Sequence, residues 1–129
     1  METPGGVRWF AGDVCDAYLV RADIQPGLTI AVFRGRHVAE PTELAECEAA
    51  AYGREVLAVG RAIEAAFSPV KLNYDVLGNS VPHLHTHIVP RYADDPRPGW
   101  PFPFPHPDPP PMPAERLAER LAALRAAVG

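Results

Sequence analysis

Residues 81–91 read VPHLHTHIVPR, with His83, His85 and His87 on alternate positions of an otherwise apolar run. Alternate residues of an extended chain share a face, so imidazoles line one face and Leu84, Thr86 and Ile88 the other. A neutral imidazole donates at one ring nitrogen, accepts at the other and titrates near neutrality. Such a row admits a structural use, in which each ring nitrogen finds a partner inside the fold. It also admits a metal site. Neighbours two apart lie about 6.6 Å apart and can converge on one zinc, whereas the outer two, about 13 Å apart, cannot share it with the middle one. That site needs a further ligand, for which Asp75 and His37 are the candidates. The remaining use is nucleophilic attack on phosphorus by an imidazole held at its far nitrogen, with donors around the departing oxygens. His85 is then the central nucleophile between two flanking rings, and Asn73, Asn79 and Ser80, just upstream, supply neutral donors to a phosphate.

The elements that must position this row follow from pattern. AYLVRADI (17–24) and LTIAVF (28–33) are β-rich runs separated by Gln25-Pro26-Gly27, which predicts an antiparallel hairpin after a short irregular start. Asp23 falls where the first run ends, so its side chain faces the loop. From 42 to 67, Leu44, Tyr52, Val56, Val59, Ile63 and Phe67 share one helical stripe. Glu43, Glu46 and Glu48 suit the start of that helix, and Ser68-Pro69 ends it. Gly53 and Gly60 each cost about 1 kcal/mol of helix propensity against Ala, which points to close approach to the sheet. Residues 70–78 and 83–90 are two further strands, the second turning Leu84 and Ile88 toward the helix.

Segment 96–113 holds ten of the sixteen prolines and predicts an extended strap. Trp100, Phe102 and Phe104 favour a strap over a free linker, since a linker has no use for large rings. Residues 114–128 form a helix with Leu117, Leu121, Leu124 and Val128 on one side.

A chain of 129 residues is a single domain by size: 1–129, with a catalytic core at 17–92, the strap at 96–113 and the helix at 114–128. A formal charge of −4 offers no electrostatic footprint for nucleic acid or an anionic membrane. Cys15 and Cys47 lie far apart and in no C-x-x-C, which fits a reduced chain without a zinc knuckle. With no apolar signal region at the start and no membrane-length run, a soluble cytoplasmic protein is expected.

The stretch His83-Leu84-His85-Thr86-His87-Ile88-Val89 resembles the H-φ-H-φ-H-φ-φ motif of the histidine triad (HIT) superfamily, Thr86 departing at an apolar position. LGNSVPHLHTHIVPR is similar to that family's lead-in and Pro-Arg exit. ADIQPG resembles its D-I-x-P turn, and RGRHVAE its basic exit into the helix; together these span 17–92. The resemblance implies an α+β, HIT-like fold: an antiparallel β meander with a long packed helix, usually as a homodimer whose sheets run together. It also implies a purine nucleotide as partner and attack on its α-phosphate.

Roles carried by the resemblance fall on matching residues. His85 is the nucleophile, held by the backbone carbonyl of His83. His87 contacts the phosphate and leaving group, and His83 supports the network. Asn73, Asn79 and Ser80 hold phosphate or bridging oxygens, Asp23 accepts the ribose hydroxyls, and Ile24 lines the base pocket. The implied activity is a nucleotide hydrolase or transferase working through a nucleotidyl-histidine on dinucleoside polyphosphates, nucleoside phosphoramidates or adenylylated compounds. No cofactor is required, and a divalent cation such as Mg would enter only beside a polyphosphate substrate. Where many members carry P-G-H, this chain has Leu28 and Thr29 after Pro26-Gly27. That departure favours the alternative, a nucleotide-binding or scaffold protein with little turnover.

Overall fold

The structure, a computed structural model, describes residues 5–95, 98–103 and 110–128. Strands β1 (Gly6–Ala11), β2 (Cys15–Val20) and β3 (Thr29–Phe33) lead through a 3-10 turn at Pro41–Glu43 into helix α1 (Glu46–Phe67). Strands β4 (Lys71–Asp75) and β5 (His85–Arg91) follow, then helix α2 (Ala114–Val128). The five strands make one antiparallel sheet in the order β1-β2-β3-β5-β4, so β5 lies inside the sheet, paired on both sides.

Register sorts the side chains into two faces. Leu84, Thr86 and Ile88 are buried under α1 with Leu19, Ala31, Phe33 and Leu72 of the sheet and Tyr52, Val56, Val59 and Ile63 of the helix. Burying a side chain such as Leu84 or Ile88 contributes about 1.5–3 kcal/mol. A one-residue slip of β5 would expose them and drive imidazoles into the core, so the core fixes the register. Thr86, at the motif's apolar position, is 3% exposed and fully used: its hydroxyl lies 2.8 Å from that of Tyr52, which donates to the Ala31 carbonyl at 3.3 Å. Burial pushes the Tyr52 phenol up to about 12, so it stays a neutral donor.

The predicted stripe of α1 is the buried one, with Leu44 and Phe67 partly buried at its margins. Gly60 does mark a close approach, since a Cβ there would stand 2.5 Å from the Tyr74 hydroxyl, whereas Gly53 faces open space. The helix begins at Glu46, not 42, because Leu44 and Ala45 are extended after the 3-10 turn. Ser68 closes it in the left-handed region, donating its N–H to the Glu64 carbonyl at 3.0 Å. Helix α2 packs on α1 and β1 through Leu121 and Leu124, while Val128 is 45% exposed and off the core.

The expected irregular start holds a strand at Gly6–Ala11. Val7 and Trp9 point into the core from β1, an alternation of only two large apolar residues, and a bulge between Arg8 and Phe10 shifts its register against β2. The first hairpin strand begins at Cys15 and stops at Val20, and β4 stops at Asp75, each shorter at its far end than the apolar run suggests. His83 precedes β5, with its carbonyl at the entry to the strand.

The face opposite α1 is held partly by the proline-rich segment. Arg91, buried at the end of β5, binds Asp95, the Asn73 amide oxygen at 2.8 Å and the Trp100 carbonyl at 2.7 Å. Gln25 adds hydrogen bonds to the Pro90 carbonyl at 2.8 Å and Asp95 at 2.7 Å. Phe102, 8% exposed, packs on Leu28 and Val89, as a strap residue should, whereas Trp100 is 63% exposed. Phe104 lies outside the described residues. No helix among the described residues is long and apolar enough to cross a membrane.

Candidate active site

The histidine row sits at the start of β5, where it is paired with β3. Val32 stands opposite His85 and Ile30 opposite His87, so the imidazoles rise from an apolar floor. Ile30, Val32, Val81, His83 and His85 line a hollow of about 210 Å³.

Each ring is oriented by groups whose chemistry fixes its tautomer. Nδ1 of His85 lies 2.6 Å from the His83 carbonyl, which can only accept, so Nδ1 carries a proton and, in the neutral ring, Nε2 the lone pair. Nε2 of His83 lies 2.6 Å from the Phe33 carbonyl and must likewise be the donor. In neutral His83 this leaves Nδ1 as acceptor, and Nδ1 of His37 stands 3.0 Å away to donate to it. The two rings are stacked, with centroids 5.1 Å apart. His87 meets His85 edge-on at 5.1 Å and is hydrogen-bonded to the backbone of Asp75. Burial, and secondarily the charge of His85, hold His87 below the usual histidine range.

His37 is a fourth member of the network that the pattern of the chain did not disclose, beyond its place in RGRH. The loop carrying it is folded back by Gly35 at φ 118° and by Arg36, which makes two 2.8 Å contacts with Glu48 and one of 2.9 Å with the Glu43 carbonyl. Leu84 N–H then donates to the Val38 carbonyl at 2.8 Å, and Phe33 N–H to the Leu84 carbonyl at 3.0 Å, which brings His37 against His83. Leu28 and Thr29, the P-G-H positions, are buried, and the histidine beside His83 is His37, from the loop after β3.

The other expected site residues divide. Asn79 and Ser80 are exposed in the loop before His83, next in the chain to Val81 of the hollow. Asn73 stands opposite Val89, two residues beyond His87 and bonded to Arg91, about 13 Å along the sheet from His85. It lines a separate groove of about 600 Å³ with Lys71, Asp75, Arg91 and Trp100. Asp23 and Ile24 follow β2: Ile24 packs beside Leu28, Val89 and Phe102, and the Asp23 carboxylate is ion-paired to Arg116 and lies 3.5 Å from Arg120. The two further ligands of the metal reading sit at opposite ends of the row, His37 against His83 and Asp75 opposite His87. Among the described residues no group of at least three His, Cys, Asp or Glu side chains is arranged to hold a metal.

A row of oriented imidazoles at the start of an internal strand is the defining arrangement of the histidine triad proteins. Residues 15–94 match the family model described as the HIT domain, and the chain belongs to that family. Among solved structures it is similar to a histidine triad protein from Bradyrhizobium japonicum, with 25% identity, 97% of this chain and 92% of that one covered, and a TM-score of 0.83. A histidine triad protein from Sinorhizobium meliloti gives 25%, 95%, 89% and 0.81, and one from Marinobacter aquaeolei 28%, 96%, 89% and 0.80 in the same terms. No curated protein sequence matches the chain. Members of the family bind nucleotides, are generally hydrolases or transferases, and often form dimers.

Because the folded pKa of His87 lies below its ordinary value of 6.5, the unfolded chain takes up this proton first on acidification. The contribution is present above pH 6.5 and is lost as pH falls toward the folded value. Denaturant midpoints measured between about pH 7.5 and about pH 5.5 should therefore fall more steeply for the wild type than for His87→Gln. Parallel curves would show that His87 keeps its ordinary affinity for protons in the fold.

Proposed function

We propose that this chain is a nucleotide hydrolase or transferase in which Nε2 of His85 attacks the α-phosphate of the substrate. The observation that carries the reading is the 2.6 Å hydrogen bond from Nδ1 of His85 to the His83 carbonyl, which in the neutral ring places the lone pair on Nε2. In the first step the His85 Nε2–phosphorus bond forms and the bond from phosphorus to the leaving oxygen or nitrogen breaks. The leaving group takes its proton from His87 in the molecules where that ring is protonated; burial makes these the minority near neutral pH and makes the ring the stronger acid. Water then attacks phosphorus, the phosphorus–nitrogen bond breaks, and the proton of water returns to His87. A transferase would put a phosphate acceptor in place of water.

On this reading Asn79 and Ser80 approach the phosphate from the loop, Asn73 offers its amide nitrogen farther along β4, and Asp23 and Ile24 take ribose and base. The substrates are dinucleoside polyphosphates, nucleoside phosphoramidates or adenylylated compounds, with no required cofactor and with Mg only as companion to a polyphosphate. The absence of histidine at Leu28 and Thr29, the place where many members carry it, favours the second reading, a nucleotide-binding protein with little turnover.

We further infer a homodimer. Strand β4 is an edge of the sheet, and Val70, Tyr74, Val76 and Leu77 in and around it are 42–70% exposed. An apolar edge is normally covered. Light scattering at micromolar concentration should return twice the chain mass, and the monomer mass would contradict this.

Turnover of an adenosine phosphoramidate and of a dinucleoside tetraphosphate, measured side by side, tests the activity. His85→Ala should bind nucleotide and lose several orders of magnitude in kcat, since its removal abolishes the covalent route. Wild-type protein that binds nucleotide and turns over neither compound would support the binding-protein reading, and near-normal turnover by His85→Ala would overturn the nucleophile.

A further inference from the structure

The two residues assigned to the nucleoside are covered by the chain's own C-terminal segment, through contacts of three kinds. The first is backbone pairing: Asp23 N–H donates to the Pro110 carbonyl at 2.7 Å, Met112 N–H donates to the Arg21 carbonyl at 3.0 Å, and Ala22 forms a bridge with Pro111. The second is charge. Arg116 pairs with Oδ2 of Asp23, and Arg120, its side chain 17% exposed, lies 3.5 Å from Oδ1 and 3.9 Å from Met112 Sδ. The third is apolar: Phe102 lies on Leu28 and Val89 with Val20 and Ile24 alongside, and the Arg91 guanidinium is 5.7 Å from its ring centre. Neither the hollow beside His85 nor the groove along β4 is lined by Asp23 or Ile24.

We propose that Phe102, Pro110–Met112 and the Arg116–Arg120 pair form an autoinhibitory clasp that must leave Ile24 and Asp23 before a nucleoside is seated. This rests on the assignment of Asp23 and Ile24 to the nucleoside. The clasp and the nucleoside compete for the same groups. Two guanidinium groups bind a carboxylate more strongly than two ribose hydroxyls do, because the donors are charged. A ring held between Ile24, Leu28 and Val89 occupies apolar surface that a base would use. Apparent affinity is then the intrinsic affinity multiplied by the fraction of chains with the clasp open. The clasp residues, which lie outside the matched family domain, would thus set nucleotide affinity through Asp23 and Ile24.

Adenosine and guanosine are the probes, because they carry base and ribose and no phosphate for the histidine row. In calorimetry on the full chain, Arg116→Gln/Arg120→Gln should bind the preferred nucleoside about three- to tenfold more tightly than wild type, the range set by removing two partly exposed ion pairs. Phe102→Ala should shift affinity the same way. In the wild type, which needs no variant to fold, saturating nucleoside should speed hydrogen exchange at the amides of Asp23 and Met112. Unchanged or weaker binding in the arginine variant, or slower exchange at those amides, would overturn the clasp. Adding Asp23→Ala to the arginine variant separates the clasp from its premise: the assignment stands if ribonucleoside binding weakens while 2′-deoxynucleoside binding does not. Equal effects on both, or no nucleoside binding by any of these proteins, would sink the assignment and the clasp with it.

Discussion

A 2.6 Å hydrogen bond from the His85 ring to the carbonyl of His83 is the constraint that the rest of the fold serves. It decides which ring nitrogen keeps a lone pair, and it works only if that carbonyl stays where it is. The carbonyl is placed by its successor, Leu84, whose N–H and C=O are both bonded across to the exit of β3. Leu84 is in turn pinned by its own burial under α1, and the strand that follows by Ile88 and the Tyr52–Thr86 contact. The hydrophobic core thus determines the tautomer of a half-buried imidazole. The ordering runs through a few bonds and needs no flexible element.

The open face carries the complementary part of the arrangement. His37 and His83 form a stacked, hydrogen-bonded pair that ends on the Phe33 carbonyl, so the support for the row is polar and closed. At the other end of β5 a buried Arg91 holds Asp95, Asn73 and the Trp100 carbonyl, and ties the proline-rich segment to the sheet. A buried guanidinium is tolerated because its donors are used, including one ion pair with a carboxylate that is itself bonded by Gln25. Chemistry at one end of the strand and tethering at the other are carried by the same seven residues of β5.

Much of this was legible in the sequence because alternation and helical periodicity are read directly from it. The division of faces between Leu84, Thr86 and Ile88 on one side and the histidines on the other, and the buried stripe of α1, follow from periods of two and of 3.6. The failures have physical causes too. β1 was hidden because it is short: the core-facing alternation covers only Val7 and Trp9 before the register against β2 shifts between Arg8 and Phe10. His37 was visible in RGRH but could not be placed, because its position depends on a non-local bond between Leu84 and Val38 and on the Arg36–Glu48 pair. The separation of Asn73 from the row is a matter of register between β4 and β5, which no local pattern states. The pairing of Asp23 with α2 spans 93 residues of chain and was equally out of reach.

The most direct test of an imidazole nucleophile is the stereochemical course at phosphorus. A substrate made chiral at its α-phosphorus with sulfur, hydrolysed in heavy-oxygen water, should yield product with net retention of configuration. Attack by His85 inverts phosphorus once and attack by water inverts it again. Net inversion would mean a single displacement by water, with the ordered ring of His85 serving as a base and no phosphorus–nitrogen bond formed, and it would contradict the account.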